Sequence, residues 1–362
     1  MISASPSGSA ASLLEEVPLL RGPSLSTLRI PASWHSEPSL HAKAIERATR
    51  ARVLSLKLLP KVQAVVRRFD ASQFGLLAAY TYPRGTRERL ELCNDWHVWL
   101  FLFDDEADER QEVGQRPEYL QAYVEACLEV LRGGPLRARA TPLECFTHDL
   151  RKRLRRLASG MWLERFAADV EDYLYRGTLP AARHWAAGTV PELEPYIEQR
   201  AMDSAMYTAQ DLVEFAREGQ ELPELLFHSP RVQRLRHLCS RVVGLTNDLF
   251  SFEKEVLWHR NPNNFVHVLR VNRGLGLEEA IHQALELINE DTDAFIACEQ
   301  ELLASGPVDP RVLSYVEGMK AWIRGNVSWS MVTGRYSSPT SPFPELRRPP
   351  GGPLTPRVGG RG

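Results

Sequence analysis

The nine residues Asn247-Asp-Leu-Phe-Ser-Phe-Glu-Lys-Glu255 constrain the fold of this chain more than any other stretch. Residues four apart share a helix face, and residues eight apart nearly align. A helix here sets Asn247, Ser251 and Glu255 in one oxygen-bearing row, with the ammonium of Lys254 at its edge. Three oxygen donors of mixed type suit a hard divalent cation such as Mg²⁺, which keeps some of its waters and binds best through phosphate. A lysine beside such a row makes sense when the other ligand is a polyanion. The competing reading of the stretch, taken alone, is an exposed polar helix face.

A second stretch favours the metal. Phe101-Leu-Phe-Asp104-Asp-Glu-Ala-Asp108-Glu109 follows the aromatic run Trp96-His-Val-Trp-Leu. On a helical wheel His97, Phe101, Asp104 and Asp108 share a face, Asp105 flanks it and Glu109 turns away. Acidic runs are usually solvated, but these carboxylates continue an apolar face, where unpaired charge is costly to bury. Cations would offset that cost. Two metal-suited rows on two helices imply a metal cluster held between them.

The remainder reads as helices. Breakers at Pro60, Pro83-Arg-Gly85, Gly133-Gly-Pro135, Pro142, Pro223, Pro230 and Asn261-Pro-Asn-Asn264 punctuate helix-length apolar patterns, and no stretch alternates like a strand. An Ala/Gly-rich stretch separates the patterns at 163–176 and 190–219. Trp322 and Trp329 share a face, as core or as cavity wall. With 362 residues the chain supports a large core. Its net charge of −2 excludes a strong overall field for nucleic acid or an anionic membrane. Five cysteines without CxxC spacing read as buried thiols of a reducing compartment. No secretory or membrane-spanning apolar run is found, so a cytoplasmic protein is expected, monomer or homodimer. The expectation is one all-α domain over 28–336, after a loosely ordered segment 1–27 and before a disordered Pro/Gly/Ser-rich tail, 337–362.

Taken together, these elements resemble the class I terpene synthases, in particular the bacterial terpene cyclases. Asn247–Glu255 is similar to that family's Asn-Asp-x-x-Ser-x-x-Lys-Glu element, and Asp104–Asp108 to its aspartate-rich element. Arg335-Tyr336 is similar to its terminal Arg-Tyr pair. Arg200 matches its diphosphate-sensing arginine, with Asp203 and Ser204 in the linker and effector places; the effector is often glycine there. The resemblance covers about Leu28 to Tyr336. It implies helices around a deep apolar cavity, with three Mg²⁺ ions at its mouth held by Asp104, Asp108, Asn247, Ser251 and Glu255. It also implies a prenyl diphosphate substrate, most simply farnesyl diphosphate.

The chemistry then divides in two. Lys254, Arg200, Arg335 and the Tyr336 hydroxyl would hold the leaving diphosphate. The carbocation needs a dry wall and aromatic faces, for which Phe101 and then Trp329 are the candidates, with Phe74 and Tyr80 as further candidates for the floor. Rival readings are a C20 cyclase using geranylgeranyl diphosphate, a chain-elongating prenyltransferase and a non-catalytic helical binding protein. The prenyltransferase would be expected to carry a second aspartate-rich row where Asn247, Ser251 and Glu255 stand. The binding protein would leave the two rows unexplained.

Overall fold

The computed structural model describes residues 24–35, 37–105 and 116–348. Among them the regular structure is helical, without a strand. In chain order the α-helices are α1 (Ala42–Ser55), α2 (Gln63–Ser72), α3 (Phe74–Thr81), α4 (Arg87–Asp104), α5 (Pro117–Arg132), α6 (Pro142–Leu154) and α7 (Gly160–Asp172). There follow α8 (Leu179–Ala187), α9 (Leu193–Asp203), α10 (Met206–Phe215), α11 (Glu224–Phe227), α12 (Pro230–Phe252), α13 (Phe265–Arg273), α14 (Leu277–Ala304) and α15 (Pro310–Ser330).

The sequence explains where they start and stop. Helix ends leave backbone groups without partners. Thr141 and Glu144 form a reciprocal capping box ahead of α6, with Pro142 in its first turn. Ser159, Asn264 and Asp309 accept from backbone N–H groups at the starts of α7, α13 and α15. Gly133 and Gly274 close α5 and α13 in the left-handed conformation. The stretch expected to separate two helices is itself helical: α8 is Ala-rich, a strong helix former, and stops only at Gly188.

Helix α12 runs through the middle, touching α9, α10, α13, α14 and α15. Leu235, Cys239, Val242, Leu245 and Leu249 along it are fully enclosed. Around it α3, α4 and α15 close the wall that carries the aromatic residues. Their approach is tight: a Cβ on Gly325 of α15 would stand 2.9 Å from the Tyr80 backbone carbon of α3. Two helices change pitch rather than end. After α7 the chain makes π-helical turns over Tyr173–Thr178, and after α12 over Glu253–Trp258. Such turns occur often at functional positions.

Two boundary expectations change. The tail does not loosen at 337: Ser338, Ser341, Phe343 and Leu346 are buried, with a short 3₁₀ turn over Pro344–Leu346. The Ser338 hydroxyl donates to Glu253 at 2.9 Å and Thr340 donates to the same carboxylate. Two apolar side chains and a hydroxyl-carboxylate anchor suffice to hold this strap despite its composition. At the other end Leu25 is buried and the Ser24 hydroxyl reaches Glu345 at 2.5 Å. The expectations for 1–23 and 349–362 lie outside the described residues. The five cysteines are unpaired thiols, four of them buried and Cys145 partly so.

Gly325→Ala should destabilise the protein by about 1–3 kcal/mol, the usual cost of forcing a methyl into a filled contact. A denaturant titration followed by far-ultraviolet circular dichroism measures it. An unchanged midpoint would show that α3 and α15 can separate freely.

Candidate active site

A cavity open to solvent at one end lies between α4, α9, α10, α12 and α15. Its mouth is polar, carrying Asp104, Arg200, Asp203, Asn247 and Glu255. Its inner wall carries Leu77, Phe101, Met206, Val243, Trp322 and Trp329. Pocket sites of this kind combine an apolar lining with a few convergent polar groups.

Helix α12 supplies the first row. The Asn247 amide accepts from Arg200 Nη2 at 3.1 Å and donates to the Tyr336 hydroxyl at 2.9 Å. The Ser251 hydroxyl, one turn on, donates to the Asn247 carbonyl at 2.9 Å. Glu255 falls in the π-helical turns, so the regular α register expected over the whole row ends at Phe252. Its carboxylate accepts from the Asn264 amide at 2.9 Å.

The acidic element sits at the C-terminal end of α4, with Asp104 partly exposed beside the cavity. Asp108 lies outside the described residues. Its neighbour Asp105, read from sequence only as flanking, is where two of the expected diphosphate-holding cations converge. Arg335 Nη2 donates to it at 2.6 Å and Lys254 Nζ at 3.2 Å. Against the desolvation of its own burial, those two cations hold the Asp105 carboxyl well below the usual carboxylate range. The Arg335 guanidinium also lies over the Phe101 ring, 4.6 Å from its centroid.

Arg200 is placed differently from the simple helix-face pair. Asp203, three residues on, is 4.0 Å from it, whereas Asp248 accepts from its Nε at 2.7 Å. Asp248 also accepts from the Tyr196 hydroxyl at 2.6 Å and the Phe265 backbone N–H at 2.8 Å. That buried carboxylate is a positioning residue that sequence reasoning passed over. Its signal was present, since it is the second residue of the Asn247–Glu255 element and points away from the metal row. Asp203 lines the cavity, and burial pushes its carboxyl up to about 6 despite Arg200.

Ser204 stands at a real break. Helix α9 ends at Asp203, Ala205 adopts φ +55°, and α10 begins at Met206. A side chain rarely adopts that conformation. The Ser204 hydroxyl donates back to the Ala201 carbonyl at 2.9 Å and is within 3.3 Å of the Met206 N–H. Serine thus breaks the helix here without the glycine often found at that place. Gly244 makes room, because a Cβ there would come within 3.0 Å of the Ser204 Cβ.

Trp322 and Trp329 both form cavity wall, with the Trp329 indole N–H donating to the Ser72 carbonyl at 2.9 Å. Phe101 lies 4.8 Å from Phe74 and 5.6 Å from Trp329 between ring centres. Phe74 therefore backs the wall, and neither it nor Tyr80 lines the cavity.

The donor chemistry fits a hard divalent cation. Among the described residues no three His, Cys, Asp or Glu side chains converge on one point. The row instead offers an amide, a hydroxyl and one carboxylate, the oxygen set such ions take when phosphate completes the shell. Burial first, then the nearby Asp248 charge, push the Glu255 carboxyl up to about 7. It is an acid short of positive charge, which a bound cation would supply.

An all-α bundle with this mouth over an apolar pit is the architecture of the enzymes that ionise and cyclise prenyl diphosphates. The model of terpene synthase family 2, C-terminal metal binding, matches residues 95–294. Germacrene A synthase of Nostoc punctiforme is 32% identical over 302 residues, 83% of this chain and 92% of its own. The (2E,6E)-farnesyl diphosphate-cyclising (+)-T-muurolol synthase of Roseiflexus castenholzii is 32% identical, covering 85% and 93%. Germacradien-4-ol synthase from Streptomyces citricolor superposes with a TM-score of 0.71 at 25% identity, over 83% of this chain and 97% of that one. The chain belongs to the terpene synthase family and is a lyase that cyclises a prenyl diphosphate with a divalent metal cofactor. Among the described residues no helix is long and apolar enough to cross a membrane.

Two outcomes follow. Arg200→Met leaves Asp248 buried with its cation gone, so it should cost about 3–5 kcal/mol of stability as well as turnover; a denaturation midpoint equal to wild type would remove Asp248 as its main partner. The second concerns protons. Below pH 7 a cation must displace the proton that Glu255 retains. Because diphosphate itself takes up protons in this range, divalent-ion affinity in its presence should fall more steeply below pH 7 in the wild type than in Glu255→Gln. Calorimetry in buffers of different ionisation enthalpy should show proton release at pH 6. The same pH dependence in wild type and Glu255→Gln between pH 5.5 and 7.5 would exclude Glu255 as a ligand.

Proposed function

We propose that the protein converts farnesyl diphosphate to a cyclic C15 sesquiterpene, hydrocarbon or alcohol, with release of diphosphate and dependence on Mg²⁺. The observation that carries this reading is the division of one cavity into a charged mouth and an aromatic, apolar interior. The C15 class is supported by the T-muurolol synthase relative, whose description names the farnesyl substrate. Phe101 supports it too, one turn inside Asp104 and narrowing the upper cavity.

In this reading Asp104 and Asp108 on one side, and Asn247, Ser251 and Glu255 on the other, hold three Mg²⁺ ions. When bound, those ions neutralise the charge that develops on the diphosphate oxygens. Lys254, Arg335, Arg200 and the Tyr336 hydroxyl donate to the same oxygens. Lys254 and Arg335 lie on Asp105 before substrate arrives, and a diphosphate is the stronger partner for both. Asp203 and Ser204 place the Arg200 end of α9 at the helix break. Phe101 and Trp329 face the allylic cation, and the strap after Tyr336 limits water at the mouth. The domain is taken as residues 28–336 together with the packed segments that flank it, from Ser24 and through Leu346, in a cytoplasmic monomer or homodimer with no nucleic-acid or membrane partner.

The test is competition among C10, C15 and C20 prenyl diphosphates with Mg²⁺, with and without isopentenyl diphosphate, products being separated by mass. A cyclic C15 product is expected, unaltered by isopentenyl diphosphate. Asn247→Leu or Glu255→Gln should lower turnover about 100-fold or more while the helical signal is kept. Preference for the C20 substrate, or chain elongation, would refute the assignment.

A further inference from the structure

We propose that the aromatic ring of Tyr82 closes the inner end of the cavity and sets the length of prenyl chain it takes, a second pocket directly behind the ring being the space a longer chain would need. This inference rests on the C15 reading proposed above and assigns the residue that limits it.

The second pocket lies between the ends of α3 and α10 and the flank of α15, and its inner lining includes Val213, Ala216, Gly318 and Ala321. Exposed His35, Arg84 and Glu317 stand on its edge, so it opens to solvent on its own side. Three helices pass from one space to the other. Leu77 of α3 lines the cavity and Thr81 the second pocket; Ala209 and Val213 divide α10 in the same way, and Trp322 and Gly318 divide α15. Each step is four residues, about 6 Å along the helix axis. The two spaces are therefore stacked end to end, with a partition about one side chain thick. It lies at the inner end of the cavity. His97, which borders it, stands seven residues before Asp104 and about 10.5 Å deeper along α4.

Tyr82 fills that partition. It lines the second pocket yet touches three residues that line the first. Its ring stacks on His97 at 5.5 Å between centres and meets Trp322 edge-on at 5.6 Å. Its hydroxyl donates to the Ala209 carbonyl at 2.9 Å and lies 3.3 Å from His97 Nε2. Buried and held on three sides, the ring cannot swing aside without giving up those contacts. The limit it sets is steric. With the diphosphate fixed at the mouth, a chain one isoprene unit longer has to displace this floor or leave its diphosphate out of place. Without the ring, the cavity and the second pocket become one continuous channel.

The experiment supplies farnesyl and geranylgeranyl diphosphates with Mg²⁺ and reads the ratio of kcat/KM for C20 over C15 within each protein, so that any loss of folded protein cancels. The wild type should favour C15. Tyr82→Ala should raise the ratio at least about tenfold, the low end of what one apolar group decides in a fitted pocket. Tyr82→Leu should raise it by less, and Tyr82→Phe, which keeps the ring, should hold it at the wild-type value. Adding Ala321→Phe to Tyr82→Ala refills the second pocket and should reverse the gain. A ratio unaltered in both Tyr82→Ala and Tyr82→Leu overturns the inference and leaves the C15 reading intact. So does a gain that survives Ala321→Phe. A wild type that turns over both substrates equally overturns it whether or not any variant folds. A wild type that prefers C20 refutes the C15 reading, and this inference with it.

Discussion

The Asp248 carboxylate, wholly buried, accepts from Arg200 of α9, from Tyr196 of the same helix and from the backbone at the start of α13. Two helices, α9 and α13, are thereby tied to α12 at the mouth of the cavity. A buried carboxylate is tolerated only when its partners are complete, and taking one away costs several kcal/mol. The adjacent Asn247 is aimed by the same arginine, so the geometry of the Asn247, Ser251 and Glu255 row depends on a residue outside it. Asn264 extends the arrangement by bridging the Asp248 carbonyl and Glu255.

Charge at the mouth is only partly balanced in the protein itself. Arg335 and Lys254 both lean on Asp105, while Glu255 and Asp203 are acids that burial keeps raised. In the proposed reading, a divalent cation would give these carboxylates the positive charge they lack, and a diphosphate would offer the arginine and lysine a stronger partner than Asp105 in a low-dielectric setting.

The strap following Arg335-Tyr336 belongs to the same economy of contacts. Its Ser338 and Thr340 hydroxyls bond Glu253, the residue next to Lys254. The C-terminal cation and the lysine are therefore held on the two sides of one short anchor. Inside, the wall is aromatic, with Phe101, Trp322 and Trp329 on it and His97 as its titratable member.

The sequence by itself determined the helical class and most helix limits, and it singled out the two rows as candidates. Helix periodicity, prolines and caps are local, and a row at spacing four needs only the helix to exist. By resemblance the sequence put Ser204 in the effector place and Arg335-Tyr336 as a terminal pair, but it read 190–219 as one helical pattern, which the structure breaks at Ser204 and Ala205. What only the tertiary structure decided is which charges meet. Asp248 rather than Asp203 takes Arg200, and Asp105 rather than Asp104 takes Arg335 and Lys254, because those partners stand on helices far apart in the chain. The order of the strap through 348 was likewise illegible, since composition reports average burial and two well-placed side chains, Phe343 and Leu346, outweigh it. The π-helical turns that carry Glu255 and border Asp203 are the plainest case. Apart from Gly177 their residue types suit an α-helix; the wider pitch is set by what packs against them, as where a Cβ on Gly177 would lie 2.5 Å from the Asp203 backbone.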